Sequence, residues 1–448
     1  MPMDRGIPLA ELHKKSCIEP YLRPDKREET DLIEGLDEEY DLIVIGAGPS
    51  GLFCAINSSQ NGKKTLILEK KKSPGHKLLI SGQGHCNITN EAEIRTFLEH
   101  YGEQGRFLRP ALLGFTNHDL IRFFEDRGLA MVREKKGKIF PETHQSRDVL
   151  EVLIRECEAS DVRISYNQVV RSITKAEDKF NVHCIDRTYL SRNLVIATGG
   201  CSYPSTGSSG DGYRFARDFG HSIAEVGPAL TPVFIKNYPF RGLAGLSFPE
   251  MDISLYCNKK IRDQRGDILF THEGLSGPGI LDLSRYIRLA DTLKLSFVHR
   301  EKRGELEKWL KDRARLDGGA GLRSIIASLP GTVPLSPKLI KKILEISGIA
   351  ADLSLAHLTR EMRTHLIDNL TGLPLVVSEL GGFDIAMVTR GGVELNQVNP
   401  KTMESRLVKR LYLIGEVLDV DGDSGGYNLQ AAFSTGMLTA RSIKNNWK

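Results

Sequence analysis

Three glycines at Gly46, Gly48 and Gly51 stand in the spacing Gly-x-Gly-x-x-Gly, and Glu69 follows about twenty residues later. Glycines so placed permit a tight turn, let backbone approach a pyrophosphate, and let a helix pack closely on a strand. An acid at the end of the next strand accepts hydrogen bonds from ribose hydroxyls. The chemistry expected here is dinucleotide binding, with Pro49 and Ser50 opening a helix whose N-terminus attracts phosphate and Lys70 next to the acid. A second stretch, "GHKLLISGQGHCNITN" (residues 75–90), is crowded with glycine and polar residues and has no helical or strand period. Glycines this dense imply backbone lying against something.

Two further segments carry the same kind of signal. "LVIATGG" is an apolar strand ending at Thr198-Gly199-Gly200. "LYLIGEVLDVDGDSGGYN" ends a strand at Gly415-Glu416. It offers Asp419 or Asp421 to polyol hydroxyls and closes on Gly425, Gly426, Tyr427 and Asn428 before a helix. A helix N-terminus there favours negative charge, such as that on the pyrimidine end of a reduced flavin. Three such segments in this order point to FAD bound without a covalent link. No second Gly-x-Gly-x-x-Gly follows a strand, so no separate nicotinamide domain is expected.

Two residues suit acid–base work. Cys86 lies inside the glycine-rich segment and is either a proton donor or a packed thiol. His272, in "FTHEGLSGP", is either a general acid or a hydrogen-bonded structural histidine. The mixed-charge run "REKRGELEKWLKDRAR" (300–315) has helical spacing and reads as a solvated face or an RNA contact.

These residues need elements to hold them. "YDLIVIGAGPSGLFCAINSSQNGKKTLILEK" reads as strand, turn, helix, strand, with Leu42–Ile45 apolar enough for a buried parallel strand. Helices are expected around "NHDLIRFFEDRG" and "SRDVLEVLIRECEAS", then short strands at "VRISYN", "FNVHCID" and "NLVIATGG". Residues 228–380 change character, from short strand-like pieces to a charged helical part. The chain then returns to strand, glycine loop and helix. The division expected is an acidic extension at 1–38, a cofactor domain at 39–227 and 381–448, and an insert at 228–380.

The chain has 448 residues, 40% hydrophobic and 26% charged, with a formal net charge of +4. That is too little charge to imply a nucleic-acid binder by itself, though residues 1–40 carry −5 and leave +9 on the rest. Seven cysteines with no Cys-x-x-Cys argue against a disulfide framework or structural zinc and fit a reducing cytoplasm. No apolar run reaches the ~18 residues of a membrane span, and the acidic start lacks an apolar signal core. No metal site is expected.

The segments "IGAGPSGL", "GHKLLISGQGHCNITN", "ATGGCSYPSTGSSGDGY", "FTHEGLSGPGILDLSR" and "LYLIGEVLDVDGDSGGYNLQAAFSTG" together resemble the BaiN-type (YhiN-type) family of FAD-dependent oxidoreductases, in the glutathione-reductase-like flavoprotein superfamily. The resemblance implies an α/β fold: a three-layer, Rossmann-like FAD-binding domain interrupted by an inserted β-barrel with a helical part. It implies that residues 75–90 run from the pyrophosphate to the flavin ring, with Lys77, Ser81, Gly82, Gly84, Asn87 and Thr89 along the cofactor, and that Val170 brackets the adenine. The chain departs from the family at His85, where members usually carry arginine, and at "GQG", where they carry three glycines. The activity implied is hydride transfer from NAD(P)H through FAD to an organic acceptor. Alternatives are reduction of a uridine in ribosomal RNA, oxidation of a small amine by dioxygen, and a flavin- or RNA-binding protein without turnover.

Overall fold

The computed structural model describes residues 38–59, 62–299, 302–329, 333 and 335–447. It divides into two compact units, one of residues up to Gly227 together with Val388 onward, the other Pro228–Met387. The expected acidic extension lies outside the described residues except for Glu38. That residue belongs instead to the first strand, because its backbone pairs with Tyr189.

The first unit is built on a seven-stranded sheet. Val162–Ser165, Thr65–Leu68, Glu38–Ile45 and Thr188–Ile196 lie side by side in parallel. Lys179–Cys184 and Val170–Ala176 continue the sheet as an antiparallel meander. Leu411–Leu413, from the far end of the chain, pairs in parallel with Leu194–Ile196. Leu42, Ile43, Val44, Leu194, Val195 and Ile196 are wholly buried, as a sheet covered on both faces requires.

The helix Pro49–Ser58 crosses the C-terminal helix Tyr427–Asn445 closely: a Cβ on Gly436 would lie 2.8 Å from the Ser50 carbonyl oxygen. Phe53 fills the space around that crossing and packs on Phe115, Phe123 and Phe433. The two expected helices form at Asn117–Glu125 and Ser146–Ala159. The first is held by a capping box in which Thr116 and Asp119 exchange backbone and side-chain hydrogen bonds. A small antiparallel sheet joins Thr89–Asn90, Lys138–Pro141 and Met131–Arg133.

The second unit is a closed barrel in the order Val233–Ile235, Gly274–Ser276, Lys259–Phe270, Ser247–Cys257, Thr292–Ser296, Leu373–Leu380. Helices Arg303–Leu316, Leu322–Ala327, Pro337–Ile346 and Arg360–Gly372 come between its last two strands in sequence. Phe240 stacks on Phe270 at 4.7 Å, and Phe248 and Phe297 complete that cluster. Two sequence expectations need correction here. The pieces around "MDISLYCN" and "GDILFTHEG" are long strands of 11 and 12 residues paired along most of their length. The insert also extends beyond residue 380: Gly381 N–H donates to the Pro232 carbonyl and Met387 N–H to that of Leu230, which ties 381–387 to the barrel.

Candidate functional site

The parallel strands Glu38–Ile45, Thr65–Leu68, Thr188–Ile196 and Leu411–Leu413 present their carboxyl ends together. In open α/β sheets ligands bind in the crevice outside those ends. All three strand-end segments read from the sequence arrive there. Gly46 turns at φ +104, where a Cβ would lie 2.6 Å from the Ala197 carbonyl oxygen. A Cβ on Gly51 would collide with the carbonyl oxygen of Gly46, so this glycine serves close strand–helix packing. Gly48 differs from both, since a Cβ there would meet no protein atom. The helix that follows has no side-chain N-cap, which leaves its first-turn N–H groups available to an anion.

Glu69 reaches back to this loop. Its Oε2 accepts from Ala47 N–H at 2.9 Å and its Oε1 from Lys71 N–H at 2.8 Å. Lys70 turns elsewhere, donating to Asp211 Oδ2 at 2.6 Å and to Ser209. Thr198 Oγ1 is buried without a hydrogen-bond partner among the described residues, an acceptor and donor still to be satisfied. Val170 is buried at the start of its strand, beside Cys184.

Glu416, read as a strand-end acid, spends both oxygens on protein. Oε2 accepts from Lys77 Nζ at 2.6 Å, and Oε1 from Ser202 Oγ and Thr389 N–H, both at 2.9 Å. Lys77 also donates to Ser202 Oγ at 2.6 Å. Thr389 Oγ1 accepts from Cys201 N–H and Ser202 N–H, closing the network. Gly415 sits at φ +68 against Ser50, its N–H donating to Thr435 Oγ1 at 3.2 Å. Burial pushes the Asp419 carboxyl up, opposed by a hydrogen bond from the Gly391 backbone. Asp421 is buried as well.

The glycine-rich stretch is a coil of left-handed backbone. Gly82, Gln83, Gly84 and Cys86 have φ of 55, 59, 91 and 60. Such conformations cost non-glycine residues about 1–3 kcal/mol each, so the surroundings must impose them. Ser81 helps do so: its Oγ donates to Leu78 O at 2.7 Å, and its carbonyl accepts from Cys86 N–H. Asn87 Oδ1 accepts from Ile139 N–H, tying the coil to the small sheet. Thr89 Oγ1 donates to Gln430 Oε1 on the C-terminal helix at 2.6 Å, and a Cβ on Gly426 would strike the Thr89 carbonyl.

Cys86 is wholly buried, and burial pushes its thiol up to about 12 despite a hydrogen bond with Ser81. It is a packed thiol, not a thiolate, at neutral pH. His272 lies in the other unit, exposed on the turn between Lys259–Phe270 and Gly274–Ser276.

Residues that sequence reasoning missed stand at the turn opening the C-terminal helix. His100 Nδ1 lies 2.9 Å from Asp423 Oδ2, and its ring stacks on Tyr427 at 3.9 Å and 16°. Tyr101 donates its hydroxyl to the Tyr427 carbonyl at 2.8 Å, and Asn428 brackets Gly422 with two hydrogen bonds. Asp423 was visible inside its motif, but nothing near it in sequence indicates His100.

Among the described residues no helix is long and apolar enough to cross a membrane, and no group of three or more His, Cys, Asp or Glu is placed to hold a metal ion. The open position at Gly48, the uncapped helix, the strand-end acid and the unsatisfied Thr198 hydroxyl fit a dinucleotide cofactor.

Comparison with known proteins agrees with this geometry. Residues 40–442 match the family described as HI0933-like protein Rossmann domain. The ribosomal RNA dihydrouridine synthase of Escherichia coli (strain K12) is 33% identical over 91% of this chain and 98% of its own length. A protein of the same name from Haemophilus influenzae is 31% identical, over 90% of this chain and 98% of its own. The 3-dehydro-bile acid delta(4,6)-reductase of Clostridium scindens is 31% identical, over 89% and 98%.

Proposed function

The chain belongs to the HI0933-like Rossmann family and is an FAD-dependent oxidoreductase; from that premise we propose that it reduces a carbon–carbon double bond conjugated to a carbonyl, using NAD(P)H. The observation that carries this reading is what two differently named relatives have in common. A uracil C5=C6 bond is conjugated to the C4 carbonyl, and the double bonds of a 3-oxo-delta(4,6) steroid are conjugated to the C3 carbonyl. Uracil and the delta(4) bond accept a hydride at the carbon β to the carbonyl and a proton at the carbon α to it, and the delta(6) bond is the vinylogue, accepting hydride at the δ carbon. Uridine in ribosomal RNA is the first substrate to test, because two relatives covered over 98% of their length bear that name. Such a substrate and donor suit a cytoplasmic enzyme.

FAD, when bound, supplies the hydride chemistry. The chain's task is to hold and shield it. Gly46–Gly51 and the helix behind them would cradle the pyrophosphate, and Glu69 would accept from the adenosine ribose. Lys77, Ser202 and Glu416 form a fixed polar wall on the same edge. The coil 81–87 and the turn at Gly425–Gly426 would line the ring. An unpaired uridine must leave its stack to reach such a ring.

Denatured protein should release FAD rather than FMN on chromatography. Anaerobic mixing with NADH or NADPH should bleach the flavin. A ribosomal RNA fragment should then restore its colour and gain dihydrouridine by mass spectrometry. A flavin that is reduced but reoxidised by neither the RNA nor a 3-oxo-delta(4) steroid would reject the proposal. Salt separates the two substrates, since RNA affinity falls steeply with ionic strength and that of a neutral steroid does not.

A further inference from the structure

Conjugate reduction needs a proton at the α-carbon, and the function proposed above leaves its source open. The buried, high-pKa thiol of Cys86 is a poor source. We propose that His100, oriented by Asp423, is the general acid that delivers this proton. The inference rests on the preceding reading, in which the turn at Gly425–Gly426 faces the reacting ring.

The geometry is that of an oriented imidazole. Asp423 Oδ2 sits 2.9 Å from His100 Nδ1, and Asp423 N–H donates to the His100 carbonyl at 3.0 Å, so the two residues are bound through both side chain and backbone. The carboxylate fixes the tautomer with hydrogen on Nδ1 and makes Nε2 the nitrogen that exchanges a proton. Tyr427 stacks beneath the ring, and Tyr101 locks Tyr427 through its carbonyl. The pair is partly open to solvent, at 35% and 27% of side-chain exposure, as an acid that must be recharged from water requires. Asp423 and Tyr427 are the titratable groups against the ring from the C-terminal segment. Tyr101 adjoins it on its own segment, which also carries Glu99 and Glu103.

The step balances. A hydride, carrying both electrons, originates in NAD(P)H, which leaves as NAD(P)+. The hydride forms a C–H bond at the β-carbon, uracil C6, and the π pair of the double bond moves toward the α-carbon. The proton on His100 Nε2 forms the second C–H bond at that carbon, uracil C5. Neutral imidazole remains and is reprotonated from solvent. Asp423 is a positioning residue that acts through His100.

The test uses full-length, FAD-loaded protein and separates the two half-reactions. His100→Gln should keep its FAD and be reduced by NAD(P)H at the wild-type rate. Its reoxidation by the RNA fragment should slow by about 100-fold or more. Asp423→Asn should slow reoxidation as well while leaving reduction by NAD(P)H unchanged, because the ring loses the partner that orients it, and Asp423→Glu should restore part of the rate. Nitrogen NMR of the His100 ring in wild type and Asp423→Asn reads the tautomer that Asp423 fixes, without turnover. Reoxidation of His100→Gln at the wild-type rate would overturn the assignment. So would equal slowing of both half-reactions, which would make His100 a cofactor-holding residue. A wild type that is reduced but reoxidised by no conjugated acceptor would reject the proposed function itself, and this role with it.

Discussion

A methyl group added at position 48 has open space, and one added at position 51 has none. Two glycines of one motif should therefore fail differently. Gly48→Val should leave the melting temperature of the flavin-free protein near that of wild type while abolishing FAD retention, since the side chain would enter the open space proposed for the pyrophosphate. Gly51→Ala should destabilise even the flavin-free protein by about 1–3 kcal/mol, the usual cost of overpacking. Thermal melting of both variants with and without added FAD distinguishes the cases; equal melting temperatures without FAD would refute the division of labour. Glu69→Ala should weaken FAD binding by about 1–3 kcal/mol, the cost of leaving polar partners unmatched. It should also loosen the glycine turn, because the carboxylate holds Ala47 N–H. Isothermal titration measures the first effect, and amide exchange at Ala47 the second.

Among elements, the barrel hairpin offers a test in pH. Asp252 lies opposite Arg265 on the neighbouring strand and bonds it at 2.6 Å, with His299 Nδ1 at 2.7 Å on its other oxygen. Burial acts to raise its carboxyl, but the hydrogen bonds and charges of Arg265 and His299 prevail and hold it below its ordinary value. A carboxylate whose folded pKa is depressed adds stability that is fully present above its unfolded value, about 4. That stability fades as pH falls through the folded value. Asp252→Asn should therefore lower the denaturant midpoint near neutral pH, and the gap to wild type should close as pH falls through the depressed folded value. A gap that stays constant with pH would mean that shape, not charge, holds the pair.

At the scale of the whole molecule, the chain makes one unit from two distant pieces and the other from a single run. Pro228–Met387 carries its own buried core, from Val233 to Val377. Its first and last strands are neighbours, with Val233 opposite Leu380. A segment with its own core and adjacent ends is expected to fold alone. Residues 228–387 expressed alone should melt cooperatively and bind no flavin; an expanded, non-cooperative product would show that the barrel needs the rest of the chain. The other unit needs both of its pieces, because Leu411–Leu413 completes the sheet beside Leu194–Ile196. Adding FAD to full-length protein at about a hundredfold over its Kd should raise stability by about 2.7 kcal/mol.

Much of this molecule could be read from local sequence, for a physical reason. A strand buried on both faces must be apolar, a turn against backbone must be glycine, and an amphipathic helix shows its period within a few residues. The motif at 46–51, the acid at 69, the strand ends at 198–200 and 415–416 and the helices at 117–125 and 146–159 each obey such short-range rules. The partners of those residues were not legible. Lys77 meets Glu416 across 339 positions, and His100 meets Asp423 across 323. The same holds for Thr389, which stands outside every motif and closes the network at Glu416. Hairpin length and the extent of the insert also escaped, because pairing depends on what lies opposite. Local composition determined which segments approach the crevice. Only sheet order and helix crossing, set by burial of surfaces hundreds of residues apart, decided which side chains meet there.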